Sequence, residues 1–351
     1  MYNETNSIGN TRFDYVDVLR GIAVLGVIAV HTGQHGNITV PDLIKPVINN
    51  GQMGVQLFYL TSAFTLFLSL KTRFSHEHFP IRNFFIRRYF RIAPMFYIAI
   101  IVYYFGSNQP GITVWNILAH FTFLHGFRPS WINTLVPGGW SVGVEMIFYA
   151  LMPIIFYKVN NINSATKLLL ISIILIPFYV LLSTIISVGD FGYYWYQFFP
   201  NQLPLFCLGI IMYFIIIENK SLWEVSKRTL LLLSLCILGL LFTGVGSHVL
   251  FGIGFLLFSI SLSHDKLKIF VNPFFIYLGK ISFSMYLVHF GVLKILTKIK
   301  FIDYVNNGII NYIIRFVIVT LIAAIISSVS YNIIEKPFQK IGAKIIKKME
   351  R

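Results

Sequence analysis

Residues 16–33 read VDVLRGIAVLGVIAVHTG, and the fold turns on how that stretch is taken. It is apolar along nearly its full length, yet it carries Arg20 near one end and His31 near the other. A membrane-crossing helix needs about 20 mostly apolar residues, which this run supplies. No small-residue cleavage site follows a short apolar core, so it reads as a retained span and not a removed leader. Eleven residues separate Arg20 from His31. That is about three helical turns, so both side chains share one face, roughly 16 Å apart along the axis. Ionisable groups inside a span are costly, and each is a candidate functional group. The plainer readings are that Arg20 snorkels to the interface and that His31 is interfacial or packed. A single face carrying both weakens each of those readings.

The rest of the chain has the same character. Of its 351 residues, 56% are hydrophobic and 12% charged, and the mean hydropathy is +0.73. A soluble chain carries roughly twice that charge. The 34 Phe and 19 Tyr suit lipid contact and interfacial belts. The net charge of +15 does not point to nucleic acid, because the basic residues sit between apolar runs and not on a polar domain. Cys207 and Cys236 lie in apolar runs and make neither a disulfide framework nor a metal spacing. His76, His78, His248 and His264 fall in loops or helix ends, with no ligand spacing beside a carboxylate, so no metal is expected.

Ten spans are expected, starting near residues 16, 53, 89, 142, 168, 203, 229, 248, 274 and 310. The chain thus reads as an all-α integral membrane bundle, a single domain over 1–351. Residues 1–15 form a cytoplasmic N-terminal segment, 16–334 the bundle and 335–351 a basic cytoplasmic tail. Loop charge sets the orientation. With the N-terminus inside, twenty Lys and Arg lie inside: Arg12, the 71–91 cluster, Lys158, Lys167, Lys220, Lys227, Arg228, Lys266, Lys268 and the tail. Only Lys45, Arg128, Lys298 and Lys300 lie outside. This predicts a multi-pass protein of the cytoplasmic membrane with both termini inside. The apolar segment 112–127, ITVWNILAHFTFLHGF, is short, and counting it as a span would invert every loop after it. It therefore reads as a re-entrant or interfacial piece, tolerated where protein or water covers the backbone.

Three further segments carry chemistry. RRYFRIAP places Arg87, Arg88 and Arg91 at the inner end of the third span. Alone such a cluster is a headgroup signal, but guanidinium forks also match phosphate oxygens. PGGWSVGVEMIFY holds Trp140, Ser141 and Glu145, and an acid inside a span needs a partner. The loop-charge topology puts Glu145 near the outer face, level with His31. GKISFSMYLVHF carries Tyr286 and His289, and His289 ends at the same depth. Phosphate binders thus collect inside and acid/base groups outside, an arrangement suited to a long donor threaded between them.

These residues resemble acyltransferase family 3, membrane proteins that O-acylate surface polysaccharides, lipids and related acceptors. Arg20 and His31 match its Arg, ten residues, His signature. Arg87, Arg88, Arg91 and Pro94 are similar to its basic motif, and Gly138–Tyr149 to its Trp-Ser…Glu…Phe-Tyr segment. Ser282–Phe290 and Glu335–Phe338 are similar to its two C-terminal motifs. The matches run in family order over nearly the whole chain, and nothing resembles the extra esterase-like domain of some members.

The resemblance implies acyl-coenzyme A, usually acetyl, as donor and a hydroxyl of a surface glycan or lipid-linked saccharide as acceptor, with no permanently bound cofactor. Arg87, Arg88 and Arg91, with Arg20, are then expected to hold the donor. His31 would act as general base, with Glu145 orienting it and Arg20 beside the thioester. Trp140, Ser141, Tyr286 and His289 would bind acceptor or oxyanion. A transporter or flippase of lipid-linked sugars would share the spans and the intramembrane charges, but no matched broken halves are evident. A glycan polymerase would favour outer basic residues, which are few here.

Overall fold

The computed structural model describes residues 13–106, 111–185, 191–218, 226–242, 247–264 and 267–351, and these are helical with no strand among them. Arg12, Lys220 and Lys266 lie outside the described residues, and of Lys227 and His264 only the backbone is described.

Ten apolar helices match the ten expected spans. They are α1 (Asp14–Gly33), α2 (Gly54–Phe74), α3 (Pro80–Gly106), α4 (Gly139–Lys158), α5 (Ile162–Ile185), α6 (Phe199–Tyr213), α7 (Lys227–Phe242), α8 (His248–His264), α9 (Pro273–Lys298) and α10 (Gly308–Ser330). Eight stretches of the described residues are long and apolar enough to cross a membrane, and α7 and α8 are shorter apolar helices. α3 starts nine residues ahead of the expected position. Hydropathy registers only its apolar part, whereas Arg and Phe sustain the helix itself. Its 27 residues span about 40 Å, more than a hydrocarbon core of about 30 Å, so its first turns project toward the headgroups.

The segment expected as a basic tail is ordered helix. A π-helical turn at Tyr331–Glu335 leads into α11 (Lys336–Met349). Gly342 of α11 packs directly on Phe90 of α3. Lys336, Lys340 and Lys344 recur every fourth residue along an exposed stripe. Glu350 closes the element by accepting from His78 N (2.8 Å), Phe79 N (3.1 Å) and Asn83 Nδ2 (2.7 Å). A carboxylate at the start of α3 also suits the helix dipole.

The direction of the helices follows from α1 and α9. Gly21 lies against Phe275 and Gly279, and ten residues further on the ring of His31 lies 5.4 Å from that of His289. The two helices therefore run parallel and begin at the same end of the bundle. Parallel helices in a membrane must be separated by an odd number of crossings, which makes α9 the ninth span only if residues 112–127 do not cross. Their helix, Val114–Phe121, has eight residues and is about 12 Å long, too short to cross. A Cβ at Gly21 would sit 2.5 Å from the Phe275 carbonyl oxygen, inside contact distance. Gly21→Val is expected to cost about 1–3 kcal/mol through overpacking, read as a lowered midpoint of thermal unfolding in detergent.

The 112–127 segment sets the depth of α4. His120 and His125 are buried and stacked at 4.3 Å and 10°. The His120 Nδ1–H donates to Asn116 O (2.9 Å), and the His125 Nε2–H donates to Gly139 O (3.0 Å). The second bond ties the segment to the first turn of α4. Gly138, at φ +73°, makes the turn into that helix. Its carbonyl accepts from the Tyr286 hydroxyl (2.9 Å). Tyr286 lies one turn before His289 on α9, so α4 starts inside the bundle, below the rim on which His31 and His289 stand.

Candidate active site

Three cavities stand in series along the bundle. At the arginine end a basin of about 340 Å³ is lined by Arg73, Glu77, Arg87, Arg88, Arg91 and Lys347. Arg88 and Arg91 also line a narrow chamber of about 70 Å³, together with Arg20, Glu145, Tyr149 and Tyr286. Tyr286 and Val55 in turn line a vestibule of about 740 Å³, whose wall holds His31, Asn133, Trp140, Tyr196 and Phe290. Shared wall residues thus set the basin, the chamber and the vestibule of His31 next to one another in that order.

The chamber is rich in charge. Arg20 reaches back along α1, as helical side chains do, and donates to Thr65 Oγ1 (3.1 Å), with Asp17 at 3.9 Å. The Ser62 and Tyr149 hydroxyls each donate to Glu145 Oε1 at 2.5 Å. On the chamber wall the guanidinium groups of Arg20, Arg88 and Arg91 meet one carboxylate, Glu145, with Asp17 pairing Arg20 from outside it, and no carboxylate among the described residues forms an ion pair with Arg88 or Arg91. The Arg88 Nε–H is buried without a partner. Such a chamber favours an anionic or strongly polarised guest.

Arg87 differs from its neighbours. Its two terminal nitrogens donate to Glu77 at 2.7 and 3.1 Å, a bidentate pair. Burial opposes ionisation of Glu77, but hydrogen bonds from Arg87 and Asn83 and the charges of Arg87 and Arg73 hold its carboxyl below its ordinary value of 4.5. A depressed carboxyl contributes stability above the ordinary value and loses it as pH falls through the folded value. Arg87→Ala is therefore expected to unfold earlier than wild type at neutral pH, with the gap closing below about pH 4.5. Thermal unfolding across pH reads this directly.

At the histidine end, the His31 Nδ1–H donates to Gln34 Oε1 (3.0 Å). That bond assigns the tautomer and leaves Nε2 as the acceptor atom. The Phe290 ring lies tilted between the two histidines, 4.3 Å from His31 and 4.2 Å from His289. His289 is fully buried, donates from Nδ1 to Met285 O (3.2 Å), and keeps an unpartnered Nε2. At the neck between chamber and vestibule, the Ser141 hydroxyl donates to the Tyr286 oxygen (2.8 Å).

A family model described as an acyltransferase domain, acyltransferase family 3, matches residues 13–331. The chain belongs to acyltransferase family 3. It is 24% identical over 383 residues to a Staphylococcus aureus (strain COL) protein named "Putative O-acetyltransferase SACOL0978", covering 94% of this chain and 58% of that protein. It is 23% identical to "O-acetyltransferase OatA" of S. aureus (strain NCTC 8325), covering 94% and 57%. A Caenorhabditis elegans protein named "Regulator of hypoxia-inducible factor 1" is 25% identical over 175 residues, covering 41% and 34%. The chain thus spans under two thirds of the length of these relatives. No solved structure matches it.

The family motifs do not all meet where loop charge predicts. His31 and His289 converge, and Trp140 shares the vestibule with His31. Arg20 and Arg91 share the chamber with Arg88, while Arg87 lines only the basin. Glu145 corrects the expectation that it stands level with His31 and orients it. It belongs to the chamber, bonded to Ser62 and Tyr149, because α4 begins below the rim and Glu145 lies about 10 Å further along it. The orienting partner of His31 is Gln34, an exposed loop residue that nothing in the sequence distinguishes. Ser62 is likewise visible only as a partner, whereas Tyr149 closes the Trp-Ser…Glu…Phe-Tyr segment and gains its role from Glu145. Glu335, read as the start of a tail, is buried and accepts from the Ser284 hydroxyl, so the two C-terminal motifs form one contact between α9 and the turn after α10.

Proposed function

We propose that this chain is a membrane O-acetyltransferase that carries acetyl from cytoplasmic acetyl-coenzyme A to a hydroxyl of a surface glycan or lipid-linked saccharide at the opposite face. The reading rests on one observation, the run of cavities that leads from unpaired Arg88 and Arg91 to the free Nε2 of His31. The names of the relatives supply acetyl as the group and oxygen as the acceptor atom. Loop charge supplies the orientation, with the basin on the cytoplasmic side of the cell membrane and both termini inside.

In this mechanism Arg88 and Arg91 hold the donor phosphates as charge-assisted forks. The pantetheine arm passes Arg20 and the neck at Tyr286, and the thioester reaches the vestibule. Nε2 of His31 takes the proton of the acceptor hydroxyl as that oxygen attacks the thioester carbonyl. The tetrahedral oxyanion is stabilised at the neck, where the Tyr286 and Ser141 hydroxyls turn from their resting acceptors, Gly138 O and the Tyr286 oxygen, to donate to it. It collapses with cleavage of the carbon–sulfur bond, and the departing thiolate takes the proton back from His31. Trp140 and His289 shape the acceptor side, and Glu145 keeps the guanidinium charge of the chamber in balance.

The experiment is transfer of labelled acetyl from acetyl-coenzyme A in membranes containing the protein, with release of free thiol measured alongside. Stoichiometric thiol release and acetylated glycan are expected. Movement of a lipid-linked sugar without thiol release would overturn the reading in favour of transport.

A further inference from the structure

Arg315 is a fully buried cation on α10, outside the family motifs named above. Its Nη1 donates to Thr32 O (3.3 Å) and to His35 O, while Nη2 reaches Ile38 O (3.4 Å) and pairs with Asp303. Asp303 accepts in turn from the Asn37 backbone N–H (2.8 Å). Thr32 O belongs to the last turn of α1 and also accepts from the His35 backbone N–H (3.4 Å), whereas His35 O and Ile38 O belong to the loop that follows, so the cation ties the helix end to its loop. Gly36, at φ +86°, lets the loop pass so close that a Cβ there would lie 2.7 Å from Asp303 Oδ1. The pair therefore grips residues 32–38 from both sides of Gln34, the residue whose carbonyl oxygen sets the His31 tautomer.

We propose that Arg315 and Asp303 are positioning residues for the base, acting through Gln34: they hold the loop that keeps Nδ1 of His31 protonated and Nε2 free. The inference rests on the reading of His31 given above. Neither residue lines the vestibule, so neither touches the acceptor. An ion pair with its cation fully buried and its carboxylate 20% exposed is a weak source of stability but a good device for fixing one geometry. An imidazole released from its partner samples the wrong tautomer and the wrong angle, and small misplacements of a reacting group cost up to about 100-fold.

The test is a double-mutant cycle on acetyl transfer at saturating acetyl-coenzyme A. Gln34→Ala and Asp303→Asn are each expected to lower the saturated rate by about 10-fold or more with the donor KM unchanged. The two together should lose no more than Gln34→Ala alone, since coupled residues do not add. Arg315→Lys should retain part of the rate. Where Asp303→Asn fails to give a folded protein, Gly36→Ala takes its place in the cycle with the same expectation. Multiplying losses, or a wild-type rate in Asp303→Asn, would overturn the inference. His31→Ala runs in parallel: full activity there sinks the functional reading itself. An inactive His31→Ala beside a fully active Gln34→Ala sinks only the role given to the clamp.

Discussion

Replacing His31 with alanine is expected to lower acetyl transfer by about 10³-fold while leaving donor binding intact. General-base catalysis contributes roughly 10²–10⁴-fold, and His31 is the one imidazole on the vestibule wall among the described residues, with Nδ1 committed to Gln34 and Nε2 open. His289 cannot take over. Its ring is fully buried behind Phe290, and its Nε2 faces protein. His31→Gln is a useful companion, since it keeps polarity and approximate size but has no basic nitrogen, and it should be as inactive as alanine. Both variants should keep the thermal midpoint within a few degrees of wild type, because His31 is only partly buried and its side chain bonds to Gln34, an exposed loop residue. Binding of labelled acetyl-coenzyme A to the purified variant separates loss of chemistry from loss of donor.

The second large effect is expected at Arg88. Hydrogen bonds to charged groups contribute about 1.5–3 kcal/mol, so Arg88→Ala should raise the donor KM by about 10-fold to 100-fold. The saturated rate should fall much less, because Arg88 stands at the junction of basin and chamber and away from the vestibule where His31 acts. Arg88→Lys should recover only part of the affinity, since an ammonium lacks the planar fork. Arg87→Ala is the internal contrast. Glu77 already occupies its guanidinium, so its donor KM should move by less than about threefold even though it adjoins Arg88 in sequence. A larger rise in KM for Arg87→Ala than for Arg88→Ala would show that phosphates bind at the basin rim and not at its junction with the chamber.

Hydropathy and periodicity are properties of single segments, and they carry through to the structure. Ten apolar stretches become ten helices. The shared face of Arg20 and His31 survives because three turns of one helix admit no other arrangement. The status of residues 112–127 is legible from loop charge, since a wrong parity would put too many cations on one side. Depth is a different matter. Charge counting assigns each residue to an end of its helix but not the level at which that helix begins. Glu145 is misplaced for that reason: His125 and Tyr286 draw the start of α4 inward, and no local pattern around Gly138 encodes the distance.

Arg315 had a usable signal. It is an ionisable residue inside an apolar run, open to the same argument that singles out Arg20. Gln34 and Ser62 had none, because a neutral polar side chain in a loop or span acquires a role only from the partner that folding brings to it.

Chain composition and residue spacing were thus enough to establish a helical membrane bundle and the order of its spans, because solvation in lipid acts on one segment at a time. Which arginines remain free, which partner aims the imidazole, and how the cavities join end to end were decided by packing between helices remote in sequence. Those are distances across the bundle, and a one-dimensional pattern of polar and apolar residues does not contain them.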